Sequence, residues 1–311
     1  MERNNHCLGH FVCFAAYAIF GFNIIICKDL TSGGIISPYA LFLIRSVVAG
    51  ILFWLTSFFL PQEHVDKKDF PKLLLASFLG FFLTQISFLM GIPLITPLDC
   101  SIIVTTSPIF TMLIAAVVLK EPITMKKAGG VMLSFAGILF LIFNSVARSN
   151  GVSETTPLGI ILLIINSLSF SLYLGIFKPL IAKYSPVTFM KWIFLFSTIL
   201  AIPMGYKEVS NFDFSAQTSD FYLELGYLIF FATFIAYFLI PIGQKNIRPT
   251  LVSMYTYVQP IIATIISIYI GMDTLSWQKC LAAIMVVAGV LLVTFSPSAS
   301  ESTQNLAQGK S

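Results

Sequence analysis

The sequence predicts an all-α membrane protein of ten transmembrane helices, arranged as two five-helix repeats of inverted topology. Three observations carry this. Only 10% of the 311 residues are charged, 57% are hydrophobic and mean hydropathy is +0.90, whereas roughly a quarter of a soluble domain is charged. Ten apolar runs lie between charged or Pro/Gly breaks, each near the roughly 20 residues that a bilayer-crossing helix needs. Finally, a shift of 152 positions lays Pro97 on Pro249, Ser101 on Ser253, Pro108 on Pro260, Glu121 on Asp273, Lys127 on Lys279, Ala136-Gly137 on Ala288-Gly289 and Phe143 on Phe295, all in one register. Such a gapless match is an internal duplication.

In order, the apolar runs are Leu8–Cys27, Pro38–Leu60, Leu73–Ile95, Leu98–Leu119, Met125–Phe143, Leu158–Phe177, Val187–Gly205, Tyr222–Ile242, Leu251–Gly271 and Trp277–Phe295. The first is long enough to span and lacks a small-residue cleavage site, so it reads as a retained helix rather than a removed leader. The second opens at Ser37-Pro38, because proline is tolerated at a helix start, and it carries Arg45 inside the apolar run. A charge there faces protein or water, or snorkels to the headgroups. The loop from Pro61 to Pro71 is charged and reads as solvated, without a site. The third run carries Phe81, Gln85 and Phe88, spaced by four and three and therefore on one helical face. The fourth and fifth are joined by the turn Lys120-Glu121-Pro122, a cap or ion-pair site.

The Ser/Thr/Asn/Gly-rich segment from Arg148 to Pro157 links the halves. The sixth run aligns Asn166, Ser169, Phe170 and Tyr173 on one face. Lys178 ends it as Lys28 ends the first, and Ser185-Pro186 echoes Ser37-Pro38, so the duplication covers the whole chain with small indels. Lys191 in the seventh is placed to snorkel. The ninth puts Tyr255 and Gln259 one turn apart, aligned with Ile103 and Ser107 of the first half. Residues 1–147 and 148–296 are thus the two repeats, and 297–311 form a polar tail expected to be disordered and cytoplasmic.

Charge sets the expected orientation. With the N-terminus inside, twelve Lys/Arg fall in cytoplasmic segments and four outside, which places both termini in the cytoplasm of a multi-pass inner-membrane protein. The five cysteines share no ligand or disulfide spacing and read as apolar packing residues. The three histidines, His6, His10 and His64, fall in no catalytic or metal motif, and no nucleotide-binding pattern occurs. An enzyme, a resident cofactor, a metal site and a nucleic-acid partner are therefore not expected.

Five helices per half, an odd number, force the second half to insert upside-down. Inverted repeats are the construction of secondary transporters, and the pointer to their site is a Pro-interrupted helix at corresponding positions of both halves. Pro108 and Pro260 meet that description. The polar side chains that helical spacing can bring inward together are Asn23, Gln85, Ser107, Asn166, Ser169, Tyr173, Tyr255 and Gln259, with Arg45 as a candidate charge.

These residues also carry a resemblance. The run from Thr106-Ser107-Pro108 through Leu119-Lys120-Glu121-Pro122 to Gly137-Ile138-Leu139, with Gly21, Lys28 and Arg45 upstream, resembles the EamA-type branch of the drug/metabolite transporter superfamily across the whole chain. Phe20 stands where that family often has Trp, Asp273 replaces the second Glu, and Leu281-Ala282 replace the glycines equivalent to Gly129-Gly130. The resemblance implies a ten-helix inner-membrane carrier for amino acids, related metabolites or toxic compounds, acting as an exporter or facilitator on a small-molecule substrate. A monomer in the lipid bilayer is compatible with it, the oligomeric state being open. Two rivals stay open as well. A sugar-phosphate or nucleotide-sugar exchanger would need cations in its cavity, for which Arg45, Lys28, Lys178 and Lys191 are the candidates; the other is a non-transporting accessory protein of the membrane. No acid is central in a helix, Asp99 and Glu224 lying near helix ends, so facilitated diffusion or exchange is expected rather than direct proton coupling.

Overall fold

The computed structural model describes residues 2–118, 125–147, 155–247, 249–271 and 276–294. The Lys120-Glu121-Pro122 turn, Asp273, most of the linker between the halves and the polar tail lie outside them. Helices form at all ten expected places: α1 Glu2–Ser32, α2 Pro38–Phe58, α3 Lys67–Leu94, α4 in two pieces (Pro97–Val104 and Ser107–Val118), α5 Met125–Ala147, α6 Pro157–Ile176, α7 Pro186–Ser210, α8 Ser219–Asn246, α9 in two pieces (Pro249–Met254 and Val258–Ile270) and α10 Trp277–Thr294. A short helix, Lys178–Lys183, sits between α6 and α7. There is no strand among the described residues. Eight helices, all but α5 and α10, are long and apolar enough to cross a membrane. In α5 and α10 the apolar stretches among the described residues are the shorter Ala128–Gly137 and Cys280–Gly289.

Four of the starts use one local device. Ser37-Pro38, Thr96-Pro97, Thr156-Pro157 and Ser185-Pro186 each place a hydroxyl at the cap and a proline at the first helical position. The hydroxyl accepts from the N–H three residues on, at 3.1 to 3.2 Å, and the proline occupies a position that needs no donor. α1 extends a turn past Lys28, which therefore does not end it. Instead Lys28 Nζ donates to the carbonyl of Pro93 at the end of α3 (3.0 Å), and Lys178 Nζ donates to that of Ile247 at the end of α8 (3.4 Å). Two equivalent lysines thus serve two equivalent carbonyl ends, where a cation also suits the helix dipole.

The repeats are interleaved. α1 leaves its own half to pack on α8 and α9, and α6 packs reciprocally on α3 and α4. Glycines permit both approaches: a Cβ on Gly21 would lie 2.9 Å from Ile262 Cβ, and one on Gly159 would lie 2.9 Å from the carbonyl of Leu94. Close backbone contact of this kind is what joins helices in lipid, where no hydrophobic force separates helix from solvent. Equivalent helices also pair, α2 with α7 and α5 with α10. The first pair touches α3 and α8; the second touches α4 and α6.

Two departures from regular helix repeat with the duplication. α3 and α8 each contain a π-turn, Phe78–Leu83 and Phe230–Ile235, 152 positions apart. α4 breaks at Thr105-Thr106, and α9 passes through a tight 3₁₀ turn at Tyr255–Tyr257. Each interruption lies within one turn ahead of a proline, at corresponding places in the two halves. Pro108 and Pro260 sit in the first turn of the second piece, which begins at Ser107 or Val258, where a missing N–H costs nothing. Having no N–H to offer the carbonyl four residues back, that of Val104 or Thr256, each proline keeps the first piece from running on as one α-helix.

Candidate functional site

Six helices enclose one cavity. α1 supplies Tyr17, Phe20, Asn23 and Ile24; α3 supplies Thr84, Gln85 and Phe88; α4 supplies Val104 and Ser107. From the second repeat come Asn166 and Phe170 of α6, Tyr237 of α8, and Thr256 and Gln259 of α9. About 60 Å³ is open to water-sized molecules, room for a few waters given that one needs on the order of 10–15 Å³. No charged side chain is part of the wall formed by the described residues.

The wall is held by polar links between repeats. Gln85 Nε2 donates to the hydroxyl of Tyr237 at 2.7 Å. Asn166 Nδ2 donates to the carbonyl of Thr84 at 2.8 Å, and Ser171 Oγ to that of Ser107 at 2.9 Å. Phe20 meets the Tyr237 ring edge-on with centroids 5.8 Å apart. Gln85 Oε1 and the Tyr17 hydroxyl are buried without a hydrogen-bond partner among the described residues. An orphaned polar atom is costly to leave unmatched, so a ligand in this cavity gains by offering a partner.

Of the residues singled out from sequence, Asn23, Gln85, Ser107, Asn166 and Gln259 reach the cavity. Ser169, Tyr173, Tyr255 and Arg45 are not among its lining residues. Ser169 Oγ donates to the carbonyl of Leu79 inside the π-turn of α3 (2.7 Å), and the Tyr173 ring fills the place where Gly80 lacks a side chain. Tyr255 shares a 2.6 Å hydrogen bond with Nδ1 of His10 near the start of α1. Phe81 departs from the face predicted with Gln85 and Phe88, lying 4.3 Å from Phe194 and 5.0 Å from Tyr237 between ring centroids. The cause is the π-turn, which spoils the four-and-three spacing of a regular helix.

Arg45 neither snorkels nor lines the cavity. It is 1% exposed; its Nε donates to Thr233 Oγ1 at 2.8 Å and its Nη1 to Cys27 Sγ at 3.6 Å. Cys27 in turn donates to Oδ1 of Asn23 at 3.5 Å, so the guanidinium stands one layer behind the wall. Lys191 lies over the Trp54 ring, 5.0 Å from its centroid.

The Pro61–Pro71 loop, expected to be merely solvated, is instead one side of a clasp between repeats. Lys183 bonds to Asp66 and, at 2.6 Å, to Asp69, which also accepts from the hydroxyl of Tyr184 at 2.8 Å. The backbone N–H of Ser185 donates to Glu63 Oε2 at 2.9 Å. Partial burial works to raise the Glu63 pKa, but hydrogen bonds from Ser185 and Thr188 outweigh it and hold the carboxyl below its ordinary value. Bonds to Asp66, Asp69 and Tyr184 hold the Lys183 ammonium above its own.

Phe88 and Phe170 share the predicted faces of Gln85 and Asn166 and line the cavity with them, but sequence reasoning did not place Tyr17, Phe20, Ile24, Thr84, Val104, Tyr237 or Thr256 in the site. Tyr237 was reachable, since adding the repeat length to Gln85 gives it. Among the described residues no His/Cys/Asp/Glu group is arranged to hold a metal ion.

A polar, aromatic-rimmed cavity enclosed jointly by two repeats of apolar helices belongs to a multi-pass membrane transporter. The chain is a member of the EamA-like transporter family, whose sequence model matches residues 7–143 and 157–295, one repeat each. It is 26% identical over 303 residues to the uncharacterized transporter YetK of Bacillus subtilis, covering 93% of this chain and 89% of that protein. With the uncharacterized transporter YdfC of the same organism the identity is 28% over 258 residues, covering 82% and 81%. It is also 26% identical over 260 residues to the uncharacterized inner membrane transporter YedA of Escherichia coli K12, covering 81% and 79%. A solved crystal structure shares the fold with a TM-score of 0.64 over 92% of this chain and 95% of that one, at 16% identity.

Proposed function

We propose that this transporter carries a small metabolite without net charge, such as a zwitterionic amino acid or a related polar compound, by exposing the cavity between its repeats to one side of the membrane at a time. The observation that supports this reading is the neutral wall. Amides, hydroxyls and aromatic rings line it, and the four cations that an organic-anion exchanger would need are all committed elsewhere: Arg45 to Thr233, Lys28 and Lys178 to helix ends, Lys191 to Trp54. A net charge entering such a wall would lose its hydration without a fixed counter-charge. The carboxylate and ammonium of a zwitterion partly neutralise each other, and they, like neutral polar groups, can exchange water for the amides of Asn23, Gln85, Asn166 and Gln259.

Transport on this reading is facilitated diffusion or exchange in an inner membrane, with both termini cytoplasmic. The test is counterflow in proteoliposomes, with three pools offered: zwitterionic amino acids, uncharged ring compounds, and sugar phosphates with nucleotide sugars. Uptake confined to the first two pools supports the reading. Uptake of the phosphorylated pool alone would transfer the assignment to the exchanger class.

A further inference from the structure

The paired π-turns have a job that neither the family nor the cavity assigns. A π-turn amounts to one residue inserted into an α-helix, so it rotates the helix beyond it by about 100° relative to the helix before it. Gln85 and Tyr237 each lie two residues past such a turn, and each reaches the cavity.

The wide turns are held by named side chains. Thr84 Oγ1 donates to the carbonyl of Leu79, and Thr233 Oγ1 to that of Leu228, both at 2.7 Å and both five residues back. Elsewhere in the chain such back-bonds reach three or four residues, as Thr31 does to Cys27 and Ser46 to Phe42, so the five-residue reach belongs to the widened geometry. Each turn also has outside support. Ser169 of α6 donates to the same Leu79 carbonyl, and Arg45 of α2 donates to Thr233 Oγ1. The Thr233 hydroxyl thus gives its proton to Leu228 and accepts one from Arg45, which fixes it from both sides.

We infer that Thr233 and Arg45 are positioning residues that hold the wide turn of α8 and so turn Tyr237 into the cavity, with Thr84 and Ser169 doing the same for Gln85 through α3. This accounts for a buried intramembrane arginine that lies behind the cavity wall. It stands on geometry alone and holds whichever substrate is carried.

The test reads the Gln85–Tyr237 bond directly. 3-Fluorotyrosine is installed at position 237 and its ¹⁹F resonance recorded in nanodiscs, with Gln85→Leu giving the resonance of the broken bond. Thr233→Val is expected to move the signal in the same direction as Gln85→Leu, and Thr233→Ser to return it to the wild-type position. Removing Phe230 closes the turn to α spacing while leaving the later residues of α8 aimed as they are, so in that background Thr233→Val should leave the signal at the wild-type position. A wild-type resonance in Thr233→Val, or a shifted one that the Phe230 deletion does not restore, overturns the inference. Should Thr233→Val not fold, Thr84→Val reads the same bond from α3 by the same criterion.

Discussion

Gln85 and Tyr237 stand 152 positions apart, the length of the internal repeat, and are joined by a 2.7 Å hydrogen bond across the cavity wall. Equivalent positions of two inverted halves meet only near the axis that relates them. This bond therefore marks the centre of the molecule, and its two partners come one from each repeat.

Breaking that bond should cost stability and change substrate binding. Tyr237→Phe leaves the Gln85 amide without its partner, which costs about 1–3 kcal/mol in the empty protein and should appear as a lower melting temperature with a shifted half-saturation. Gln85→Leu should act alike, and the double variant should be less than additive because both remove one interaction. Half-saturation in counterflow, beside thermal unfolding of the purified variants, is the measurement. Unchanged half-saturation in both single variants would remove the pair from the site.

Two glycines should respond to alanine with opposite sign. A Cβ on Gly205 of α7 would lie 2.6 Å from the carbonyl of Tyr39 and 2.7 Å from Leu43 Cβ, so Gly205→Ala forces α2 and α7 apart. Overpacking of this kind costs about 1–3 kcal/mol. At Gly129 nothing among the described residues lies within 4 Å of an added Cβ, and helical glycine is roughly 0.5–1 kcal/mol worse than alanine, so Gly129→Ala should be neutral or stabilising. Melting temperatures in one detergent decide the order.

The Lys183 clasp should loosen in acid. Because the Glu63 pKa is lowered in the folded protein, its contribution is present above its unfolded value and is lost as pH falls through the folded one. Lys183, raised, keeps its contribution until pH rises through its elevated value, far from neutrality. Spin labels at His64→Cys and Ala182→Cys, with the exposed Cys7 replaced, should show a narrow distance distribution at neutral pH that broadens on acidification. Lys183→Met should broaden it at neutral pH. A distribution insensitive to both changes would mean that the clasp holds nothing closed.

Orientation rests on the excess of twelve cytoplasmic Lys/Arg over four. Reporters fused after Phe143 and after Phe295 are expected on opposite sides of the membrane, the first outside and the second in the cytoplasm. Both on one side would break the five-plus-five inversion, and alternating access would lose its structural basis.

Which segments are helical, and in what order, was decided by composition. In hydrocarbon the backbone must satisfy itself, so a run of about 20 apolar residues can only be a helix, and the Ser/Thr-Pro pairs fixed where four of them start. The duplication was equally plain, being a matter of residue identity at a fixed offset. Side-chain facing was legible within a regular stretch, as for Asn23 in α1, Asn166 in α6, and Gln85 with Phe88 in the part of α3 after its π-turn. Across a π-turn it was not, because the extra residue changes no composition yet alters the spacing of side chains before and after it; Phe81, inside the turn, left its predicted face for that reason. The destinations of Arg45 and Ser169 were hidden too. Their partners, Thr233 and Leu79, are 188 and 90 residues away, and only the packing of α2 against α8 and of α6 against α3 brings the arginine to that hydroxyl and the serine to that carbonyl.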